Sequence, residues 1–497
     1  MFTLSFSILE AVKLLKNICS NISVNQSRVV FWLCFCIGIF QSIYHRIIGV
    51  ELTGYGWKNA LRNAWTISED KTILYDYFRD PLYSLLINGY TQMFVDYWHS
   101  SIALGWSIWI FSWLLMCLIV HRLGGIWGNL GLVFVLSLSP ILLSIPITMN
   151  TYPLSGLAFL LIVFVSLWGY DSPSSFRIFI FSVCHGIALA ADERSIVWMP
   201  FTFFLLVSSL RSRPSRWGFL ILVLAFVVAI PNAIDIFSGL ESIKVDALGW
   251  AEKQEFQQSV AYRWATRTQD HRMMALCHDV PVEQFLVPSF LVTDCARGIL
   301  SHNLAHRWPM VFLAFPFAAS LFVILSLSVG SRIKRGFIVY SLGIFWVISA
   351  LSVLPPRYLI QFAPLLIIVI GMGLGAFLSL IPPRYIWIVL LGGGVSSLLI
   401  QPNLSAEVFE QGITRSDIQK VTRVISPNDS ILDCSGTGLG LLLYPKHPII
   451  GTPSRVAMSE KECLSEAQSI SSGVVIVDKQ SSVEALLGTN LKLVFLK

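Results

Sequence analysis

Three short clusters of charge carry the residue types that group-transfer chemistry needs. The first opens at Glu51 (Glu51-Leu-Thr-Gly-Tyr-Gly-Trp57), continues through Ser68-Glu-Asp-Lys71 and ends in Tyr75-Asp-Tyr-Phe-Arg-Asp-Pro-Leu-Tyr83. It follows a long apolar run, so its acids lie close to a membrane surface. A carboxylate held at the end of a membrane helix, partly shielded from water, can take the proton of an acceptor hydroxyl as a general base. Glu51 is the best placed, with Asp70, Asp76 and Asp80 as alternates. Each of these acids, taken singly, also reads as a solvated loop charge.

The second cluster, Ala191-Asp-Glu-Arg-Ser195, interrupts two apolar runs. Charge at such a junction is costly unless it is paired or faces a wet cavity. Arg194 therefore reads either as a ligand for an anion or as the partner of Asp192 or Glu193. The third cluster is Leu354-Pro-Pro-Arg-Tyr-Leu359. Arg357 there can hold a phosphate through two parallel hydrogen bonds, with the Tyr358 hydroxyl as a further donor. Its ordinary reading is an arginine snorkelling to lipid headgroups.

Other residues carry less. His185, Asn232 and Asp235 lie within or at the end of apolar runs, where a packed and hydrogen-bonded role is the default. Ser435-Gly-Thr-Gly-Leu-Gly440 follows a strand-like segment, but its glycine spacing is not the dinucleotide fingerprint, and a strand-to-helix turn is expected. Of the nine cysteines, Cys277 with Cys295 and Cys434 with Cys463 fall in the segments that the charge bias places outside, where disulfides are permitted, and their pairing is left open. No metal-ligand spacing is visible and no cofactor is expected.

The elements that must position these clusters are membrane helices. Of the 497 residues 55% are hydrophobic and 13% are charged, with a mean hydropathy of +0.69. An ordinary globular chain would carry about 25% charged residues, so this one uses lipid as solvent. Runs of the required length, about 17 to 25 residues, occur near 29–49, 100–121, 125–148, 151–170, 177–191, 195–210, 217–237, 309–329, 337–354, 358–381 and 385–401. They predict a polytopic bundle of about eleven transmembrane helices.

The net charge of +6 comes largely from tight basic clusters such as Arg211 to Arg216 and Arg332 to Arg335. It reports topology and gives no reason to expect a nucleic-acid partner. With the N-terminus inside, nearly every short basic loop faces the cytoplasm. Residues 1–28 then form a cytoplasmic segment with no cleavable signal, and 29–401 the transmembrane domain. Loops 50–99 and 238–308 and the tail 402–497 lie outside. All three charge clusters fall on that outer side.

The tail returns to polar composition. Ser430–Asp433, Pro448–Gly451 and Gly473–Asp478 read as strands, with helices over 416–424 and 459–470, as in a small α/β layer.

In layout the sequence resembles the GT-C class of membrane glycosyltransferases, in particular the branch containing protein O-mannosyltransferases and lipid A aminoarabinose transferases. The likeness rests on Glu51 after the first run, on Asp80-Pro-Leu-Tyr-Ser-Leu-Leu86, on Gly186-Ile-Ala-Leu-Ala-Ala-Asp-Glu-Arg194 before a run containing Pro200, and on Pro356-Arg-Tyr-Leu359 followed by Pro364. Together these cover most of 29–401, and the tail is similar to that of many bacterial members.

The resemblance implies an inverting hexosyl- or pentosyltransferase in the plasma membrane, with its active site extracytoplasmic. Its donor would be a polyprenyl-phosphate sugar and its acceptor a glycan, lipid or protein. Glu51 would be the base, and Arg194, Arg357 and Tyr358 would stabilise the leaving phosphate. The family usually places an aspartate, often beside a second acid, after the first span, whereas here Glu51 stands alone. The residues leave two rivals open. A transporter or flippase would show paired halves with broken helices, which the sequence lacks, and a polysaccharide polymerase or ligase normally has no α/β tail.

Overall fold

In the computed structural model the apolar runs fold as helices, the conformation that satisfies every backbone polar group within one segment and so tolerates lipid. The structure describes residues 24–48, 57–70, 81–148, 151–171, 174–210, 216–238, 293–312, 317–328, 331–351, 356–399, 415–451, 458–470, 472–478 and 491–496.

The first helix, α1, is Val24–Ile48, followed by the shorter α2, Trp57–Ser68, and α3, Pro81–Thr91. Helix α4 spans Tyr97–Ser137 and joins two of the expected runs across a break at Gly125. That residue sits at φ 65°, a left-handed conformation that only glycine adopts at little cost. The remaining bundle consists of α5 (Thr151–Asp171), α6 (Ser175–Ala191), α7 (Met199–Leu210), α8 (Trp217–Phe237), α9 (Asp294–His302), α10 (Phe317–Ser328), α11 (Arg332–Leu351), α12 (Pro356–Leu378) and α13 (Ile386–Leu399). Where it is described, each of the eleven expected runs falls on a helix or on successive helical pieces.

Six helical stretches among the described residues are long and apolar enough to cross a membrane by length and composition. They are Gln26–Tyr44, Tyr97–Ser137, Thr151–Asp171, Phe219–Phe237, Arg332–Ala350 and Leu359–Leu378.

Helix α12 is the axis of the bundle. Leu365 and Ile367 to Ile370 are fully buried, and the helix packs on both sides of the α4 break, on α5 and on α10. Its approach to α4 depends on missing side chains. A Cβ at Gly131 would lie 2.2 Å from the Gly371 carbonyl oxygen, and one at Gly375 would lie 2.4 Å from the Trp127 carbonyl oxygen. Gly371 and Gly375 stand one turn apart on one face, the spacing that lets membrane helices pack backbone to backbone.

The tail folds as α14 (Arg415–Val424), β1 (Ser430–Asp433), α15 (Leu439–Leu443), α16 (Glu460–Gln468), β2 (Gly473–Asp478) and β3 (Leu491–Leu496). The sheet is parallel in the order β1-β2-β3, with Ile431 opposite Val474 and Val475 opposite Leu493. Two of the three expected strands are present. Pro448–Gly451 contributes only an isolated bridge from Ile449 to Ile431, and the third strand is instead the unexpected Leu491–Leu496.

Cys434 and Cys463 form a disulfide that ties β1 to α16. Cys295 is also disulfide-bonded, while Cys277 lies outside the described residues.

Candidate functional site

Helix α6 ends at Ala191, and Asp192 then caps a 3-10 helix, Glu193–Trp198, that leads into α7. The cap is a carboxylate with extended backbone, and its Oδ1 accepts the Arg194 amide at 2.8 Å. The same carboxylate receives the Arg194 side chain, Nε on Oδ1 and Nη2 on Oδ2, each at 2.8 Å. This is the bidentate fork that a guanidinium makes with a carboxylate. From α5 the Ser155 hydroxyl adds a bond of 2.6 Å to Oδ2.

Four donors therefore converge on one buried acid, which is 1% exposed, while the Arg194 side chain is 39% exposed. The arginine is gripped by the buried acid and stays partly exposed. Its guanidinium carbon lies 5.6 Å from the centre of the Tyr152 ring, a cation–π contact.

The first turns of α5 and α12 lie side by side. A Cβ at Gly156 would lie 3.3 Å from the Ile360 carbonyl oxygen and 3.4 Å from the Gln361 Cα, and the Phe159 and Phe362 rings are 5.5 Å apart. The contacts advance in the same direction along both helices, so these run parallel and begin at the same end of the bundle. Arg357 and Tyr358 occupy the first turn of α12, about one helical turn above Gln361. That places their backbone level with Tyr152, at the end of the bundle that also carries the Asp192–Arg194 pair. Their side chains are not among the described ones.

Below this level Trp198 packs against Phe159, Phe337 and Tyr340 at centroid distances of 6.5, 6.5 and 5.7 Å. The tyrosine hydroxyl donates to the Val197 carbonyl. An aromatic layer thus closes the bundle beneath the charged rim.

The expected acids fall elsewhere. Glu51, Asp76 and Asp80 lie outside the described residues. Asp70 is exposed, at φ 54°, in the turn after α2. Next to it the Glu69 carboxylate accepts a 2.6 Å bond from the Tyr444 hydroxyl of the tail. The structure thus brings Arg194 and the backbone of Arg357 and Tyr358 to one end of the bundle, and leaves Asp70 exposed next to Glu69, which contacts the C-terminal domain.

The lesser candidates are structural. His185 has one ring nitrogen 2.7 Å from the Phe181 carbonyl and the other 2.9 Å from the Thr202 hydroxyl. The Asn232 amide donates to the Val228 carbonyl. Ser435 to Gly440 form the expected turn, in which Asp433 accepts from the Ser435 hydroxyl and from the Gly440 amide. Among the described residues no group of three or more histidines, cysteines, aspartates and glutamates is arranged to hold a metal ion.

Two features have no sequence signal. Ser155 is one serine among many on an apolar helix, and the Tyr444–Glu69 contact joins residues 375 positions apart.

The fold of this chain is similar to that of a solved structure of ArnT from Cupriavidus metallidurans bound to undecaprenyl phosphate. The TM-score is 0.51 at 12% sequence identity, covering 88% of this chain and 91% of that one. The chain shares the fold of ArnT. The apo structure of ArnT gives 0.49 at the same identity, covering 88% of this chain and 90% of that one. No family model matches the chain, and no curated protein matches it in sequence. The ArnT likeness is one of fold: a bundle of apolar helices with a small C-terminal α/β domain.

Proposed function

We propose that this chain is a GT-C glycosyltransferase that moves a pentose or hexose from a polyprenyl-phosphate donor to a hydroxyl-bearing glycan, lipid or protein on the outer face of the plasma membrane. The observation that carries the reading is Arg194, 39% exposed, gripped by buried Asp192 and set at the same end of the bundle as the first turn of α12. A guanidinium fixed in this way loses little freedom when it binds an anion. The solved ArnT structure holds undecaprenyl phosphate, and a lipid phosphate is the anion assigned to this rim.

In the reaction, an acid of the first exterior segment removes the proton of the acceptor hydroxyl, with Glu51 as the assigned base and Asp70, Asp76 and Asp80 as alternates. The acceptor oxygen attacks the anomeric carbon from the face opposite the phosphate. The bond from that carbon to the phosphate oxygen breaks, and its electron pair stays on the oxygen. Arg194, Arg357 and the Tyr358 hydroxyl stabilise the charge that develops there. Configuration inverts, and polyprenyl phosphate is released.

The Cys434–Cys463 disulfide supports an outer location for the tail, since such bonds persist in oxidising compartments. A periplasmic reporter fused after residue 405 is expected to be active.

The direct test is binding of undecaprenyl phosphate to the purified protein and to Arg194→Ala and Arg357→Ala. Each loss should weaken binding about tenfold or more, as for a hydrogen-bonded charged group. Unchanged affinity in the double variant would move the phosphate site elsewhere. Binding without any sugar transfer would favour a flippase.

A further inference from the structure

The C-terminal domain meets the bundle around α15 and Tyr444. Tyr444 directly follows α15 and is buried, at 9% exposure. Its ring packs on Tyr97 at 5.2 Å, its carbonyl accepts the Tyr97 amide at 2.8 Å, and the next residue, Pro445, bridges to Asp96. These contacts fix Tyr444 to the start of α4 whatever its hydroxyl does.

The hydroxyl makes a second set of contacts. It donates to Glu69 Oε1 at 2.6 Å, and the Ser68 hydroxyl lies 3.1 Å away as a donor to it. The phenol's one hydrogen goes to Glu69, while the single Ser68 hydroxyl hydrogen is shared between the Tyr444 oxygen and the Trp65 carbonyl, which lies 2.9 Å away. Burial and the adjacent Glu69 carboxylate push the Tyr444 ionisation up, which keeps it a donor at physiological pH.

Glu69 is followed by Asp70, whose φ of 54° is unusual for a residue with a side chain. Such a conformation persists where the surroundings determine it. Here they are the close of α2, with the Asp70 amide bonded to the Ile67 carbonyl at 3.3 Å, and the Glu69 carboxylate held by the neighbouring domain. The outcome is an exposed carboxylate, Asp70, presented at a fixed place in the exterior segment.

We propose that Tyr444 is a positioning residue of the transfer reaction: through Glu69 the C-terminal domain fixes the turn that presents Asp70, where its carboxylate meets the acceptor. The proposal rests on the glycosyltransferase reading. It gives the C-terminal domain a part in turnover.

Tyr444→Phe tests it, because the ring packing, the backbone bond to Tyr97 and the Pro445 bridge survive and only the hydroxyl is lost. The full-length protein in native membranes is supplied with an undecaprenyl-phosphate-linked hexose as the probe donor. The maximal rate should fall about tenfold, the scale of one hydrogen bond to a charged group. The donor KM and the melting temperature should stay as in the parent, and amide exchange over residues 66–70 should quicken.

Glu69→Gln, whose amide oxygen still accepts from Tyr444, should keep most of the rate, whereas Glu69→Ala should lose it. A Tyr444→Phe protein with the parental rate, with parental exchange at 66–70, or with rate and melting temperature falling together overturns the proposal. A parent that binds undecaprenyl phosphate but transfers nothing sinks both readings. An active parent with an unaffected Tyr444→Phe sinks this one alone.

Discussion

Asp192 and Arg194 stand two residues apart, and the acid, 1% exposed, grips the arginine, 39% exposed, through both of its oxygens. The pairing answers an ambiguity of the sequence, where Arg194 reads either as an ion-pair partner or as a ligand for an anion. The ion pair holds the guanidinium in one place while more than a third of the side chain stays exposed. A buried pair is costly to break, but an arginine more than a third exposed is partly screened, which lowers what the pair contributes.

Asp192→Asn should therefore cost stability on the order of 1 to 2 kcal/mol, read as a small drop in melting temperature. Its larger effect should be on the lipid: weaker binding of undecaprenyl phosphate, approaching that of Arg194→Ala. A variant that melts early yet binds like the parent would confine Asp192 to a structural role.

The bundle was legible because its signal is long and physical. Each run of about 20 apolar residues must be helical in lipid, and the Pro356-Arg-Tyr-Leu359 start of α12 stood out by the return of charge. The break in α4 was legible only as a gap between two runs, since Gly125 marks a turn without revealing how α12 closes on both halves. In the tail, Pro448–Gly451 has the composition of a strand but pairs through one bridge. Leu491–Leu496 pairs along its whole length with β2, and the only local sign of it is the Gly488-Thr-Asn490 turn signal just before it. Edge pairing of this kind depends on the register of a neighbour far away in sequence. The link from Tyr444 to Glu69 is of the same non-local sort.

The Cys434–Cys463 bond closes a loop with a sequence separation of 29. A loop of that size restricts the unfolded chain enough to contribute about 3 to 4 kcal/mol. Reductant, or Cys434→Ser with Cys463→Ser, should accordingly lower the unfolding midpoint of the tail and leave the helical signal of the bundle in place. Limited proteolysis across residues 430–478 with and without reductant reads this directly. Equal protection in both would show that the β1 to α16 packing suffices alone.

Acid should loosen the tail. His447 is buried, which lowers its pKa below the ordinary histidine value; the Lys446 charge lowers it too, while the Asp429 carbonyl, Asp429 and Asp96 raise it. In the unfolded chain the ring takes its proton first, near about pH 6.5. The neutral ring's contribution is therefore complete above that pH and is lost as pH falls below it. Asp429, whose pKa is lowered first by its hydrogen bond from Lys492, behaves in the same sense at lower pH. Its contribution is present above about pH 4 and is lost as pH falls through its own lower value. The midpoint for the tail should thus drop between about pH 7 and 5, and His447→Gln should flatten that first drop. A midpoint independent of pH over this range would remove His447 from the account.

The base is the last assignment, and it rests on position. Glu51 stands three residues beyond the end of α1 in the sequence, after the first apolar run and in the segment assigned to the same side as Arg194 and Arg357. A positioned general base contributes about 100-fold to 10,000-fold in rate. Glu51→Gln keeps the shape and removes the proton acceptor, so a folded protein that binds undecaprenyl phosphate normally should transfer sugar at least about 100-fold more slowly. Asp76→Asn and Asp80→Asn should transfer at close to the parental rate. Asp70→Asn should slow by about tenfold, since there one hydrogen bond to a charged group is lost and the base remains. The size of the defect therefore distinguishes the roles. If Asp70→Asn is the variant slowed beyond 100-fold while Glu51→Gln turns over normally, the turn held by Tyr444 carries the base and Glu51 is a loop charge. If all four remain active, the first exterior segment does not supply the base, and the transferase reading loses its chemistry.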